Sequence, residues 1–196
     1  MAGPPPAVTF AWRARFGETE AVQWAGLLRN VMLGREGLTR DVLLEVVRSA
    51  GGLEARSFLT TGNVTFHAPP DAIDTVVGRI ENGVEDVLGR REMVAVRSVP
   101  WLCALVSDDR FDQYVDADWE TEVSFLRHDA PPVDFSRIRD SRRTVVVEVR
   151  PREVLAARPR RGGARPHVNR LLEHASGSPA TARGWSTLQW IAASAP

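Results

Sequence analysis

Apolar positions along the first hundred residues switch repeatedly between two periods, and the switches define the elements. Residues 21–29, Ala-Val-Gln-Trp-Ala-Gly-Leu-Leu-Arg, read as a strand. Thr39 is placed to cap a helix, with Asp41 near the helix's positive end. Leu38 and Leu43 have the spacing of a hydrophobic staple, and Leu43, Val46, Val47 and Ala50 form the buried stripe. Gly51-Gly52 ends that helix. Residues 56–66 then read as two short strands around a tight turn at Gly62-Asn63. Phe58, Leu59, Val64, Thr65 and Phe66 suit a pleated surface, with Val64 and Phe66 on one face and Thr65 on the other. Asp71 follows two prolines and is expected to cap the next helix. Ile73, Val76, Val77, Ile80, Val84, Val87 and Leu88 recur at helical spacing, the strongest periodic signal in the chain. Gly89 stops that helix, and Met93–Val96 is a strand.

The order strand, helix, strand, strand, helix, strand over 21–97 predicts a ferredoxin-like βαββαβ unit. Its helices would cover one face of an antiparallel sheet, leaving the other open or covered by the second half. Beyond it, Ser98 caps a helix to about Val106, with Val99, Leu102, Cys103 and Val106 on its apolar side. Asp108–Trp119 is acidic and irregular. Thr121–Arg127 reads as a strand with Val123 and Phe125 inward, 131–141 as a connector, and Arg143–Val149 as a strand that Glu153–Ala157 can join. A basic glycine loop, Arg158–Arg165, leads into a short helix His167–His174. Thr181–Ala193 is the expected last helix, anchored by Leu188 and Ile191. The predicted class is α+β: a tail or added strand over 1–20, the ferredoxin-like half over 21–97, and a second, smaller α+β half over 98–196. No repeat at solenoid periods occurs.

Composition narrows the chemistry. The formal net charge is +0, so no global field draws in nucleic acid or membrane, and any anion site must be local. The one cysteine, Cys103, permits no intramolecular disulfide and no cysteine zinc cluster, and its place on an apolar helix side suits a core residue. Every one of the basic residues counted among the 25 Lys+Arg is arginine. A Schiff base, pyridoxal phosphate attachment and a Walker-type lysine are therefore excluded. His67, His128, His167 and His174 lack metal-ligand spacing, and Asp108, Asp109, Asp112, Asp116 and Asp118 lack the glycine and terminal glutamate of a calcium loop. No metal or cofactor is expected. With no apolar leader in residues 1–17 and no run of membrane-spanning length, a cytoplasmic location is expected.

Three stretches carry a resemblance. Leu27-Leu28-Arg29 before a glycine loop, Thr61-Gly62-Asn63-Val64-Thr65-Phe66, and Ala180-Thr181-Ala182-Arg183-Gly184-Trp185-Ser186-Thr187 are similar, in order and spacing, to signatures of the bacterial domain of unknown function 1697 family. The resemblance covers about 21–193. It implies an α+β protein with a ferredoxin-like first half and a related second half, and it implies no activity. Two stretches depart from the family pattern. The usual arginine-glycine-isoleucine-asparagine-valine-glycine-glycine is here Arg29-Asn30-Val31-Met32-Leu33-Gly34-Arg35. The usual arginine-asparagine-tryptophan-asparagine-threonine is here Arg183-Gly184-Trp185-Ser186-Thr187. The departures mark a specialised branch.

Candidate functional residues follow. Arg160, Arg161 and Arg165 flank Gly162-Gly163 ahead of a helix, an arrangement suited to phosphate or carboxylate and equally to a solvated loop. Arg183, placed at the start of the expected last helix, serves either an anion site or a structural pair with the other half. Arg29 and Asn30 sit at a strand end, Thr61 and Asn63 at the hairpin turn, and Trp185 can wall a pocket. The leading expectation is a small polar or anionic ligand held between the two halves. The alternative is a metal-free, cofactor-independent enzyme of specialised metabolism, a cyclase, isomerase or hydrolase. Nucleic-acid binding through Phe58 and Phe66 on an open sheet ranks last, for want of a basic excess.

Overall fold

The computed structural model of this chain describes residues 21–114, 118–133, 144–160 and 168–194, with Leu171 described by its backbone alone. The expected tail over 1–20, Arg161, Gly162-Gly163, Arg165 and His167 lie outside the described residues.

Strand β1 (Val22–Leu28) is followed by helix α1 (Arg40–Ala50), strands β2 (Leu53–Phe58) and β3 (Asn63–Ala68), helix α2 (Ile73–Leu88), strand β4 (Val94–Ser98) and helix α3 (Val99–Ser107). Then come β5 (Trp119–Leu126), β6 (Val145–Arg150), β7 (Glu153–Pro159), α4 (Val168–Ser176), β8 (Ala180–Gly184) and α5 (Trp185–Ala193). The described strands make two four-stranded sheets, ordered β2-β3-β1-β4 and β6-β7-β5-β8, with every pairing antiparallel. The class is α+β, as expected.

The two sheets are copies of one plan. Leu27 lies opposite Asn63 in the first as Phe125 lies opposite Glu153 in the second. Ala25 faces Arg97 as Val123 faces Arg183. Even the register break recurs, between Leu53 and Arg56 in β2 and between Val146 and Glu148 in β6.

The helix boundaries follow local chemistry. The Thr39 side chain accepts from Val42 N at the start of α1, and Gly51 ends it in the left-handed region at φ 109°. Ser98 caps α3 through Trp101 N at 3.3 Å, and Gly89 ends α2 at φ 67°. Outside the first sheet, α1 and α2 enclose Leu43, Val47, Val76, Ile80, Phe66 and Val96. A second cluster lies between the sheets, where Ala25, Leu27, Phe58 and Ala95 meet Val123, Phe125, Leu155 and Leu188. A third, with Leu126, Val154 and Leu172, lies under α4.

Several expectations are corrected. The first sheet's inner face is covered by the second half, so Thr65 is buried along with Val64 and Phe66 and alternation disappears there. Phe58 and Phe66 are 8% and 0% exposed, and Phe58 packs edge-on against Trp190 at 5.6 Å, so neither presents a face to a base. The hairpin turn is longer than Gly-Asn: Leu59–Gly62 connect the strands, with Leu59 at φ 57° and Gly62 at φ 67°, and Asn63 begins β3. A Cβ at Gly62 would lie 2.9 Å from the Cβ of Leu28, so both space and φ require glycine there. Asp71 does not cap α2, because a 3-10 turn over Pro70–Ala72 takes it up and the helix starts after Ala72. On α3, Leu105 is buried where Cys103 and Val106 were expected, and both of those are half-buried. Thr181–Arg183 form strand, not helix: they pair with β5, and α5 begins only at Trp185.

Candidate functional site

The inner faces of β4 and β8 each project one arginine across the seam between the halves, and the two are equivalent by register. From β4, Arg97 donates through Nε to Glu153 at 2.5 Å and through its terminal nitrogens to the carbonyls of Val96 (2.7 Å) and Leu126 (3.1 Å). From β8, Arg183 donates through Nε to the Asn63 side chain. Its terminal nitrogens reach Thr181 Oγ1 (2.9 Å) and the carbonyls of Ala182 (2.8 Å), Leu28 (2.7 Å) and Thr61 (2.9 Å). Burial pulls the Arg183 pKa down to about 10, so it remains cationic at neutral pH. Its donors are taken up by the protein, and it stands where Arg97 stands in the other half.

The next residue pair repeats the same logic. Arg29, after β1, donates to Glu173 of α4 at 2.9 Å and to the Ala180 carbonyl at 3.1 Å. Arg127, after β5, binds Glu81 of α2 at 2.6 Å. Each glutamate also accepts from the first backbone N–H of the neighbouring strand: Val94 N for Glu81 (3.1 Å), Ala180 N for Glu173 (3.0 Å). Thus Arg183, Asn63 and Thr61 bind one another across the seam, while Arg29 is held by Glu173 and the Ala180 carbonyl. Asn63 Nδ2 spends its donors on the Phe58 carbonyl (3.1 Å) and Thr61 Oγ1 (3.0 Å). Asn30 is exposed beside them at φ 51°.

A cavity with a volume of about 580 Å³ lies elsewhere, at the end of the second sheet where β5 begins and β7 and β8 finish. Two aromatic pairs wall it. Phe111 meets Trp185 edge-on at 4.9 Å, and Tyr114 meets Trp119 edge-on at 5.0 Å. Its charged lining is mixed: Arg158 holds Glu120 and Glu122, each at 3.1 Å, and Arg160 donates to the Trp119 carbonyl at 3.1 Å. The N-terminus of α5 opens into the same space. Where Ser98 caps α3, the equivalent residue before α5 is Gly184, which has no side chain to offer. A Cβ at Gly184 would come no closer than 4.0 Å to its surroundings.

Of the predicted site residues, Trp185 and Arg160 line this cavity; Arg161 and Arg165 are outside the described residues. The sequence reading missed Phe111, Tyr114, Trp119, Glu120 and Glu122. The available signal was three aromatics within a stretch otherwise read as acidic and irregular. Among the described residues no group of three or more His, Cys, Asp or Glu is placed to hold a metal ion, and no helix is long and apolar enough to cross a membrane.

A family model described as "Protein of unknown function (DUF1697)" matches residues 22–154, from β1 into the start of β7. No curated protein matches the chain. Among solved structures, a conserved bacterial protein, SP0830 from Streptococcus pneumoniae, shares the fold with a TM-score of 0.64 at 11% sequence identity, over 89% of this chain and 98% of that one. With strands, helices and the Arg29 and Asn63 seam positions inside a match spanning most of its length, this chain belongs to the DUF1697 family of proteins of unknown function.

Proposed function

We propose that this protein binds a small polar molecule with a flat ring in the cavity at the end of the second sheet. The reading rests on one observation: a half-open space walled by two aromatic pairs lies against a helix start whose capping side chain is absent. Aromatic walls favour a planar group, and the exposed N–H groups of the first turn of α5 favour a carboxylate or other anionic oxygen on the same ligand. The Arg158 pair with Glu120 and Glu122 supplies both donors and acceptors for its remaining polar atoms. Both departures from the family's usual third stretch, Gly184 and Ser186, line this space, which supports a ligand particular to this branch. The site lies within the second half rather than between the halves, because the arginines at the seam are consumed in holding the halves together. The same reading takes each half as a ferredoxin-like unit, supported by the shared strand order, and takes the cytoplasm as the setting, supported by the single unpaired thiol.

Gly184→Asn tests the proposal. Its backbone, at φ −59° and ψ 146°, accepts any residue, and asparagine is a strong cap. The variant is expected to melt about 1 °C higher, since asparagine caps a helix better than glycine by only about a few tenths of a kcal/mol. It is also expected to lose the thermal shift that aromatic and heteroaromatic carboxylates produce in the parent. If it keeps the parent's full set of ligand shifts, the cavity is not the site.

A further inference from the structure

Most large apolar side chains of this chain are covered, and the exceptions gather in one place. Among the described residues the exposed large hydrophobics are Met32 (42%), Leu59 (43%) and Trp190 (48%). They come from the β1–α1 loop, the β2–β3 turn and α5. Leu33, the neighbour of Met32, donates its backbone N–H to the Thr60 carbonyl at 2.7 Å, which lays the loop on the turn. Trp190 packs edge-on against Phe58, the last residue of β2, at 5.6 Å. Leu33, Leu59, Thr60, Arg40 and Trp190 line an open groove of about 440 Å³, which shares no described lining residue with the cavity at the end of the second sheet. Leu59 is exposed although its backbone lies in the left-handed region at φ 57°, where leucine is disfavoured and glycine or asparagine is the ordinary choice. Strain and exposure thus coincide in one residue, the combination expected where a partner takes up the side chain.

Exposed apolar side chains clustered in this way mark an interaction surface. The charges around them decide which partner fits. Arg35, Glu36, Arg40 and Asp41 are all exposed, two of each sign. Glu36 is taken by Arg90. Arg40 gives one nitrogen to the Ser57 carbonyl at 2.9 Å, and neither it nor Asp41 makes an ion pair among the described residues. A strongly acidic or strongly basic partner would meet like charge along half of this rim. A second copy turned about a two-fold axis offers Asp41 to Arg40 and Arg40 to Asp41. With a formal net charge of +0 the copies do not repel at long range. The surface also carries both a half-exposed tryptophan, a residue type favoured as an interface anchor, and the groove beside it, so it can serve as its own complement. We propose that this surface is the interface of a homodimer, in which Leu59 and Trp190 of each copy are covered by the other. Loop and turn belong to the first half and α5 to the second, so the interface exists only when both halves are folded, and association should raise Tm with protein concentration by mass action.

The test is sedimentation equilibrium of the whole protein over a range of concentrations, with Tm recorded over the same range. The expected mass at the upper end is twice 21.6 kDa, with a Tm that climbs with concentration. Leu59→Asn removes apolar surface yet suits the left-handed backbone. It should fold at least as well as the parent while giving the single-chain mass and a Tm independent of concentration. Trp190→Gln should also give the single-chain mass, and Gly184→Asn, at the cavity, should keep the doubled one. A parent that sediments as a single chain at every concentration would overturn the proposal, whether the groove then takes a small molecule or a different protein. A doubled mass that persists in both Leu59→Asn and Trp190→Gln would overturn it too, since the copies would then meet elsewhere.

Discussion

Arg183 shows how much one side chain can carry when its donors all find acceptors. It is 7% exposed, and the groups it satisfies include Asn63 and the carbonyls of Leu28 and Thr61 in the other half of the chain. Arg183→Ala would leave those acceptors buried and unpaired, at a cost of about 3 kcal/mol or more, read as a lower midpoint in urea unfolding. Arg183→Lys should recover little, because an ammonium on a flexible stem cannot place donors on both β1 and the β2–β3 turn at once. The residue was legible as important and its position was not. Thr-Ala-Arg-Gly just before an amphipathic run suits a helix start as well as an edge strand. Only pairing with β5, which places Arg183 opposite Val123, settles which face the side chain takes. Arg29 was legible as either ligand contact or ion pair, and Glu173, far along the sequence, decides for the pair. The cavity residues Tyr114 and Trp119 were illegible for the same reason: nothing local says that an irregular acidic stretch folds its aromatics over a strand end.

Elements inherit their boundaries from short-range chemistry and their consequences from what they touch. The caps of α1 and α3 and the glycine stops of α1 and α2 were readable because they involve residues within a turn of each other. Between elements, a chain of charges runs from the loop before α1 to α4. Glu36 is doubly bonded to Arg90 (2.7 and 2.9 Å), Arg90 to Glu92 (2.9 Å), Glu92 approaches Arg29 (3.9 Å), and Arg29 holds Glu173. The hydrogen bond from Arg90, with the charges of Arg90 and Arg35, holds the Glu36 carboxyl below its ordinary value of 4.5. A lowered native pKa means that the unfolded state binds more protons as the pH falls. The stability Glu36 contributes is therefore present above about pH 4.5 and lost as pH falls through the native value. Glu36→Gln should lower Tm slightly at pH 7 and leave it equal to the parent's at acid pH, in melts taken between pH 7 and 3. A Tm difference that stayed constant across that range would exclude a charge effect. Glu36 is exposed, so the effect is small and should shrink in salt.

At the scale of the molecule, two copies of one sheet plan face each other, and each sends an arginine and receives one. The inner core draws on both copies, with Leu27 and Phe58 meeting Phe125 and Leu155. Neither sheet keeps its inner face buried alone, so unfolding should be one transition, with tryptophan fluorescence and far-ultraviolet circular dichroism coinciding. Replacing Arg97 and Arg183 together by alanine is expected to separate the two probes, since the reciprocal ties at the seam are then gone. Coincident curves in that double variant would show that apolar packing alone couples the halves. The apolar periods determined the α+β class, the strand and helix order of the first half and most helix ends, because those depend on neighbours within a few residues. The lysine-free, single-cysteine composition likewise excluded whole classes of chemistry without any structure. Tertiary structure alone decided that both sheets are covered, that the prominent arginines tie the seam, and that the open space lies at the end of the second sheet. Those outcomes depend on contacts across more than a hundred residues, such as Arg183 with Asn63, and no local pattern records which distant segment will supply a partner.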